Sequence, residues 1–314
     1  MAIDLLFVVA GIALLVVGGD LLVAGATTLS KRLGLSPAVI GIVVLGFGTS
    51  TPELVTSVTA AVGGQSGVAL GNVVGSNIAN ILLVLGLTAL VYPIACDPHV
   101  IQRDGTMMVV VTTLTVVALV ADVLSRPLGL FLLAMLSFYL WAVVRQERGG
   151  GELDEESLGI PIGPAESLAG GIVRAVIGLA ILLVGARLLV VGASSLAADL
   201  GASEALIGLT VVAVGTSLPE LSASITAALK KQSAMAFGNV VGSNVFNLAA
   251  VLGGTLVIRP FAVPAGVGLI DAVALVIATG LCLFVGRTGL SVVRWEGGVL
   301  VLGYAAYIAL TSVY

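Results

Sequence analysis

The chain has 314 residues, of which 59% are hydrophobic and only 10% charged, with a formal net charge of −4. A mean hydropathy of +1.20 excludes an ordinary soluble domain, and no basic run offers a footprint for nucleic acid. The 41 glycines are too many for soluble helices but suit membrane helices that pack backbone to backbone.

Apolar runs of about 18–25 residues mark the membrane spans in chain order. The first set is Ile3–Ser30, Val39–Val62, Val68–Tyr92, Thr106–Ala121 and Leu128–Val144. Met1–Ser30 lacks the basic start and short apolar core of a cleavable signal, so it reads as a retained first helix. The stretch Gln146–Leu168 is polar, with Glu147, Glu152, Asp154, Glu155, Glu156 and Glu166 among glycine and proline breaks. Its acidic spacing matches no calcium loop, and it reads as a solvated cytoplasmic tether. The second set is Gly170–Ala198, Ala205–Leu229, Met235–Ile258, Val267–Val285 and Val293–Ser312. The expected domains are therefore 1–145, an acidic linker 146–168, and 169–314.

Residues 18–86 and 185–253 align without a gap. GTSTPEL at Gly48–Leu54 returns as GTSLPEL at Gly215–Leu221, and GNVVGSNIAN at Gly71–Asn80 returns as GNVVGSNVFN at Gly238–Asn247. Five spans per copy force the copies into opposite membrane orientations, and repeats of that kind place their site at the repeat interface. Charge patterning tests the count independently. Loops after the odd-numbered spans carry Lys31, Arg32, Arg103, Arg145, Arg148, Arg174, Lys230, Lys231, Arg287 and Arg294, against Arg126 and Arg259 on the other side. That bias predicts both termini outside the cytoplasm of a multi-pass plasma-membrane protein, and Tyr92, Trp141 and Trp295 fall at the predicted cytoplasmic interface.

The repeated motif is a cluster of oxygens at membrane depth. Pro52 has no N–H, so the carbonyl of Gly48 loses its helical partner, at a strain of ~3 kcal/mol. In lipid such a carbonyl must face protein, water or an ion. Thr49 and Glu53 are four apart and share a helix face, as do Ser76 and Asn80, and Ser243 and Asn247. Thr216, Ser217, Pro219 and Glu220 repeat the first pattern. Oxygen donors without His or Cys select hard cations such as Ca2+ or Na+. Inserting a carboxylate costs at least ~2.5–3.5 kcal/mol, which Glu53 and Glu220 must recover from a counter-charge or a proton. Taken singly, a membrane proline is a kink and spaced glycines are packing. A Glu repeated in register with the same neighbours is not explained that way.

The paired GTS-x-PE and GNVVGSN blocks resemble the α-repeats of the cation/calcium antiporters, in particular the sodium/calcium exchanger branch, and the likeness covers nearly the whole chain. It implies an all-α polytopic membrane protein with ten transmembrane helices as two inverted five-helix repeats, in which broken helices 2, 3, 7 and 8 form a midplane ion site. It also implies secondary active exchange of Ca2+ against Na+ by alternating access, with the first and sixth helices moving. The ion ligands it implies are Thr49, Ser50, Glu53, Ser76 and Asn80, with Thr216, Ser217, Glu220, Ser243 and Asn247, and the carbonyls of Gly46 and Ala213. Some exchangers of that family carry an acidic residue where this chain has Asn247. Two carboxylates balance one Ca2+ or two Na+, and a proton can serve as counter-ion, so Ca2+/H+ or K+-dependent exchange stands as the alternative. A three-to-one stoichiometry would move one net charge, to which 100 mV contributes ~2.3 kcal/mol.

The remaining expectations are structural. Asp20 and Arg187 are equivalent in the two copies and are candidates for a salt bridge between the first and sixth spans. Cys96 and Cys282 share no metal-ligand spacing and read as reduced thiols. His99 is assigned to a solvated loop, and Asp4, Asp122, Asp199, Glu204 and Asp271 to the outer surface. No Ser/His pair, Asp dyad or HExxH motif suggests an enzyme. A passive channel would ordinarily need a ring of subunits. The expected partners are Ca2+, Na+ and the lipid bilayer, with a monomeric chain, no nucleic acid and no cofactor.

Overall fold

A computed structural model describes residues 1–149, 167–201, 213–264 and 268–311. The acidic residues of the linker between 150 and 166, Glu204 and the first part of the seventh predicted span lie outside the described residues. The described chain is nearly all helical. In order the helices are α1 (Ala2–Leu33), α2 (Pro37–Val62), α3 (Ser66–Val91), α4 (Pro98–Val120) and α5 (Arg126–Gly149). They continue as α6 (Leu168–Asp199), α7 (213–229), α8 (Ser233–Ile258), α9 (Leu269–Arg287) and α10 (Arg294–Thr311). Eight of the described helices are long and apolar enough to cross a membrane. The protein is a multi-pass membrane protein.

Two short strands depart from the all-α expectation. β1 (Ile94–Ala95) pairs antiparallel with β2 (Ser291–Val292), in the register Ile94 to Val292. They join the loop before α4 to the loop before α10, where extended backbone can satisfy its hydrogen bonds only by pairing.

Burial sorts the helices. The most apolar stretches of α3 and α8 are 83% buried, against 33% for α1 and α6. The helices carrying the repeated GNVVGSN block are therefore the centre of the molecule. The long outer helices turn residues such as Val9, Ile12, Val176 and Val184 outward, as suits a lipid-facing surface. α1 and α6 run antiparallel along a glycine seam. A Cβ on Gly18 would stand 2.5 Å from the Leu182 nitrogen, so nothing larger than glycine fits.

That seam also explains why Asp20 and Arg187 do not pair. Gly18 lies level with Gly178 and Leu182, whereas Gly11 lies level with Gly185 and Leu189. Arg187 is thus about two helical turns from Asp20, because inversion places equivalent residues toward opposite ends. Asp20 is bound instead by Lys230, at 2.5 Å.

α4 begins eight residues earlier than the apolar run indicated. Asp97 caps it by accepting the His99 N–H at 2.7 Å, and Pro98 occupies its first turn. His99 is therefore an exposed residue of a helix rather than of a loop. The polar Arg103 and Asp104 sit inside the helix because they satisfy each other. Asp104 is fully buried, receives Arg103 Nε at 2.8 Å and Nη2 at 2.9 Å, and accepts the Tyr139 hydroxyl at 2.7 Å. Arg103 also reaches Glu147, whose other oxygen accepts the Ser36 N–H at the start of α2.

Candidate functional site

The Glu-bearing helices are interrupted where the motif predicts polar backbone. α2 widens into a π-helical turn at Gly41–Gly46, breaks at Ser50 (φ −83°, ψ 5°) and restarts as Thr51–Val62. α7 breaks the same way at Ser217 (φ −88°, ψ 3°) and restarts as Leu218–Leu229. Each restart has proline in its first turn and the glutamate next to it, so Glu53 and Glu220 both sit at a helix N-terminus. α3 and α8 each open a π-helical turn at the last Asn of the repeated block, Asn80–Leu85 and Asn247–Val251. Turns of this type are concentrated at functional sites.

These breaks bring the carboxylates of the two repeats together. Glu53 and Glu220 are completely buried, and Ser50, at the break three residues before Glu53, touches the Glu220 carboxylate. The Ser50 hydroxyl of the first copy donates to Glu220 Oε1 of the second at 3.4 Å, while the neighbouring Thr49 hydroxyl donates to the Leu45 carbonyl at 2.9 Å. The Asn247 amide donates to the Ser76 hydroxyl at 3.1 Å. Thr49, Ser50, Asn80, Ser243 and Asn247 are fully buried, with Ser76 and Ser217 nearly so.

Gly46 packs its backbone against Gly242 and Ser243, and its carbonyl accepts the Ser50 N–H at 3.2 Å. In the second copy the Ser217 N–H turns to Val214 at 3.1 Å rather than to Ala213. Ala213 and Thr216 begin and end the short helix before that break, and Thr216 is half-buried.

The two halves of the cluster are not satisfied equally. Of each symmetry-related pair of bonds one is closed: Ser50 to Glu220, and Asn247 to Ser76. Their mirror images would join Ser217 to Glu53 and Asn80 to Ser243. Instead both oxygens of Glu53, both polar atoms of Asn80, and the hydroxyls of Ser217 and Ser243 have no hydrogen-bond partner among the described residues. Leaving a buried polar group unpaired costs ~1–3 kcal/mol, more when it is charged. A hard cation among these oxygens would satisfy several of them together.

A second pair of asparagines went unread in the sequence. Asn72 Nδ2 donates to the Glu53 carbonyl at 3.1 Å and to Ser57 Oγ at 2.9 Å. Asn239 does the same to Glu220 at 3.2 Å and Ser224 at 2.9 Å. Their repetition in register inside GNVVGSN was the signal available.

The acidic residues outside the cluster are fasteners. Asp4 takes the amino terminus at 2.6 Å, Asp122 accepts the Val263 N–H at 2.6 Å, and Asp271 accepts the Gly268 N–H and the Tyr307 hydroxyl. Cys96 and Cys282 are free and buried.

Comparison with known proteins agrees with this architecture. The family model described as sodium/calcium exchanger protein matches twice, over residues 3–145 and 170–313. CaxA, a candidate antiporter of Alkalimonas amylolytica, is 38% identical over 98% of both chains. The sodium/calcium exchanger MaX1 of Methanosarcina acetivorans is 32% identical, covering 98% of this chain and 97% of its own. The solved structure of the sodium-calcium exchanger NCX_Mj soaked with 10 mM Na+ and zero Ca2+ superposes with a TM-score of 0.84 at 33% identity, over 98% of each chain. Two matched repeats, near full-length relatives and a shared fold lead to one conclusion: the chain belongs to the sodium/calcium exchanger family.

Proposed function

We propose that the protein is a secondary active antiporter that exchanges Ca2+ against Na+ across the plasma membrane by alternating access, in the direction of Ca2+ extrusion. The observation that carries this reading is the pair of fully buried glutamates, Glu53 and Glu220, in a cluster where side chains of the two repeats bond to each other. Two carboxylates there neutralise one Ca2+ or two Na+, so the ions compete for the same oxygens. The ligands are Glu53, Glu220, Thr49, Ser50, Ser76, Asn80, Thr216, Ser217, Ser243 and Asn247, with the carbonyls of Gly46 and Ala213. They sit on broken helices α2, α3, α7 and α8 of a ten-span protein with both termini extracytoplasmic. The repeats are 1–145 and 169–314, with 146–168 as a cytoplasmic linker. The cycle needs no cofactor, and the protein is a carrier rather than an enzyme.

The unequal packing of the two copies supports alternating access. Gly238, Asn239 and Gly242 are buried against the first half of α2, while the equivalent Gly71, Asn72 and Gly75 are half-exposed. By the charge bias the more tightly packed half faces the cytoplasm and the looser half faces outward. Glu53→Gln and Glu220→Gln should each reduce Ca2+ flux in proteoliposomes to background while the purified protein stays monodisperse. Full activity in either variant overturns the assignment of the site.

A further inference from the structure

Neither Asn72 nor Asn239 belongs to the oxygen cluster, yet each reaches the residue the site depends on most. Each lies four residues before the hydroxyl ligand of its own helix, Ser76 or Ser243, and so on the same face. From there its amide nitrogen spans to the neighbouring helix and holds the backbone carbonyl of the glutamate and a serine hydroxyl one turn further on. In the first copy Ser57 passes the connection back by donating to the Ala69 carbonyl of α3 at 3.2 Å.

Chemistry accounts for the residue type. An amide NH2 has two hydrogens and can serve two acceptors at once; a hydroxyl has one and a carboxylate none. Geometry accounts for the need. Proline removes an N–H beside each glutamate and the helix restarts at a serine, so the turn that carries the carboxylate is not fixed by an unbroken ladder.

We propose that Asn72 and Asn239 are positioning residues of the ion site. Each clamps the carboxylate-bearing turn of its repeat onto the helix that carries Ser76 and Asn80, or Ser243 and Asn247. The ligands of one repeat are thereby held in register and move as one body when the site changes sides. This rests on the antiporter reading above.

The test is Na+-driven Ca2+ uptake in proteoliposomes, with the Ca2+ KM and the maximal rate measured for wild type, Asn72→Ala, Ser57→Ala and the double variant. Loss of a group that orients metal ligands should raise the KM about tenfold in Asn72→Ala, with a smaller change in maximal rate. The double variant should be no worse than Asn72→Ala, because both substitutions open one clamp. Asn239→Ala and Ser224→Ala should repeat the pattern, and the serine variants serve if the asparagine variants do not fold. A KM unchanged in these variants, or effects of Asn72→Ala and Ser57→Ala that simply add, overturns the clamp while leaving the antiporter reading intact. Wild-type protein that takes up no Ca2+ under any gradient overturns the antiporter reading itself.

Discussion

Glu53 and Glu220 stand where a buried carboxylate is least costly, in the first turn of helices that restart just after Ser50 and Ser217. The partial positive charge of a helix N-terminus favours them there, and the hydroxyls alongside can donate to one carboxylate or to its twin. Elsewhere, burial decides what a charge contributes. Asp104 is fully buried and bonded to Arg103 and Tyr139. Asp104→Ala leaves Arg103 its Glu147 partner but removes two of its bonds and unpairs the buried Tyr139 hydroxyl, and should destabilise the protein by ~1–3 kcal/mol, read as a fall in melting temperature in detergent. The Asp20 to Lys230 pair has side chains 58% and 36% exposed, so Asp20→Asn should cost no more than ~1 kcal/mol. Burial also pushes the Cys96 thiol up to about 12. At pH 8 its thiolate fraction is roughly one in ten thousand. Native protein should therefore not take up maleimide at Cys96 within minutes, whereas denatured protein should; mass spectrometry distinguishes the two.

The helices show which parts of the architecture a one-dimensional reading can reach. Long apolar runs located α1, α3, α6 and α8 closely, because for a lipid-spanning helix hydropathy is itself the physical determinant. The start of α4 was hidden, since Arg103 and Asp104 read as loop until their partners on α5 are known. The pairing of β1 with β2 joins residues nearly two hundred apart, which no local pattern encodes. The residues of the buried oxygen cluster were legible because duplication writes them twice. Asn72 and Asn239 were written twice as well, but their partner is a backbone carbonyl that sequence does not mark. The Asp20 to Arg187 expectation failed because equivalence in an inverted repeat means opposite depth rather than proximity. Packing of α2 on α8 gives a direct test of asymmetry between the copies. A Cβ on Gly242 would stand 2.6 Å from the Ile42 Cα, whereas one on Gly75 meets no described atom within 4 Å. Gly242→Ala should destabilise by ~1–3 kcal/mol through overpacking. Gly75→Ala should stay within ~0.5 kcal/mol, both followed by thermal unfolding in detergent.

At the scale of the whole molecule, two copies of one fold pack around the buried cluster more tightly on one side than on the other. The cluster itself carries the same asymmetry, with one bond of each symmetry-related pair made and its mirror image unmade. Under the proposed antiport, exchanging the made and unmade sets would convert the conformation into its inverted counterpart, and the duplicated side chains would make the two ends of that exchange chemically alike. Such a device couples two ions if they compete for Glu53 and Glu220 and if the protein changes sides only when loaded. The most direct test of the account is Ca2+ uptake into proteoliposomes loaded with Na+, against vesicles loaded with K+ and vesicles carrying only a pH gradient. Uptake that requires internal Na+ is the predicted result. Uptake driven by the pH gradient alone would contradict it, and would mean that Glu53 and Glu220 exchange Ca2+ for protons.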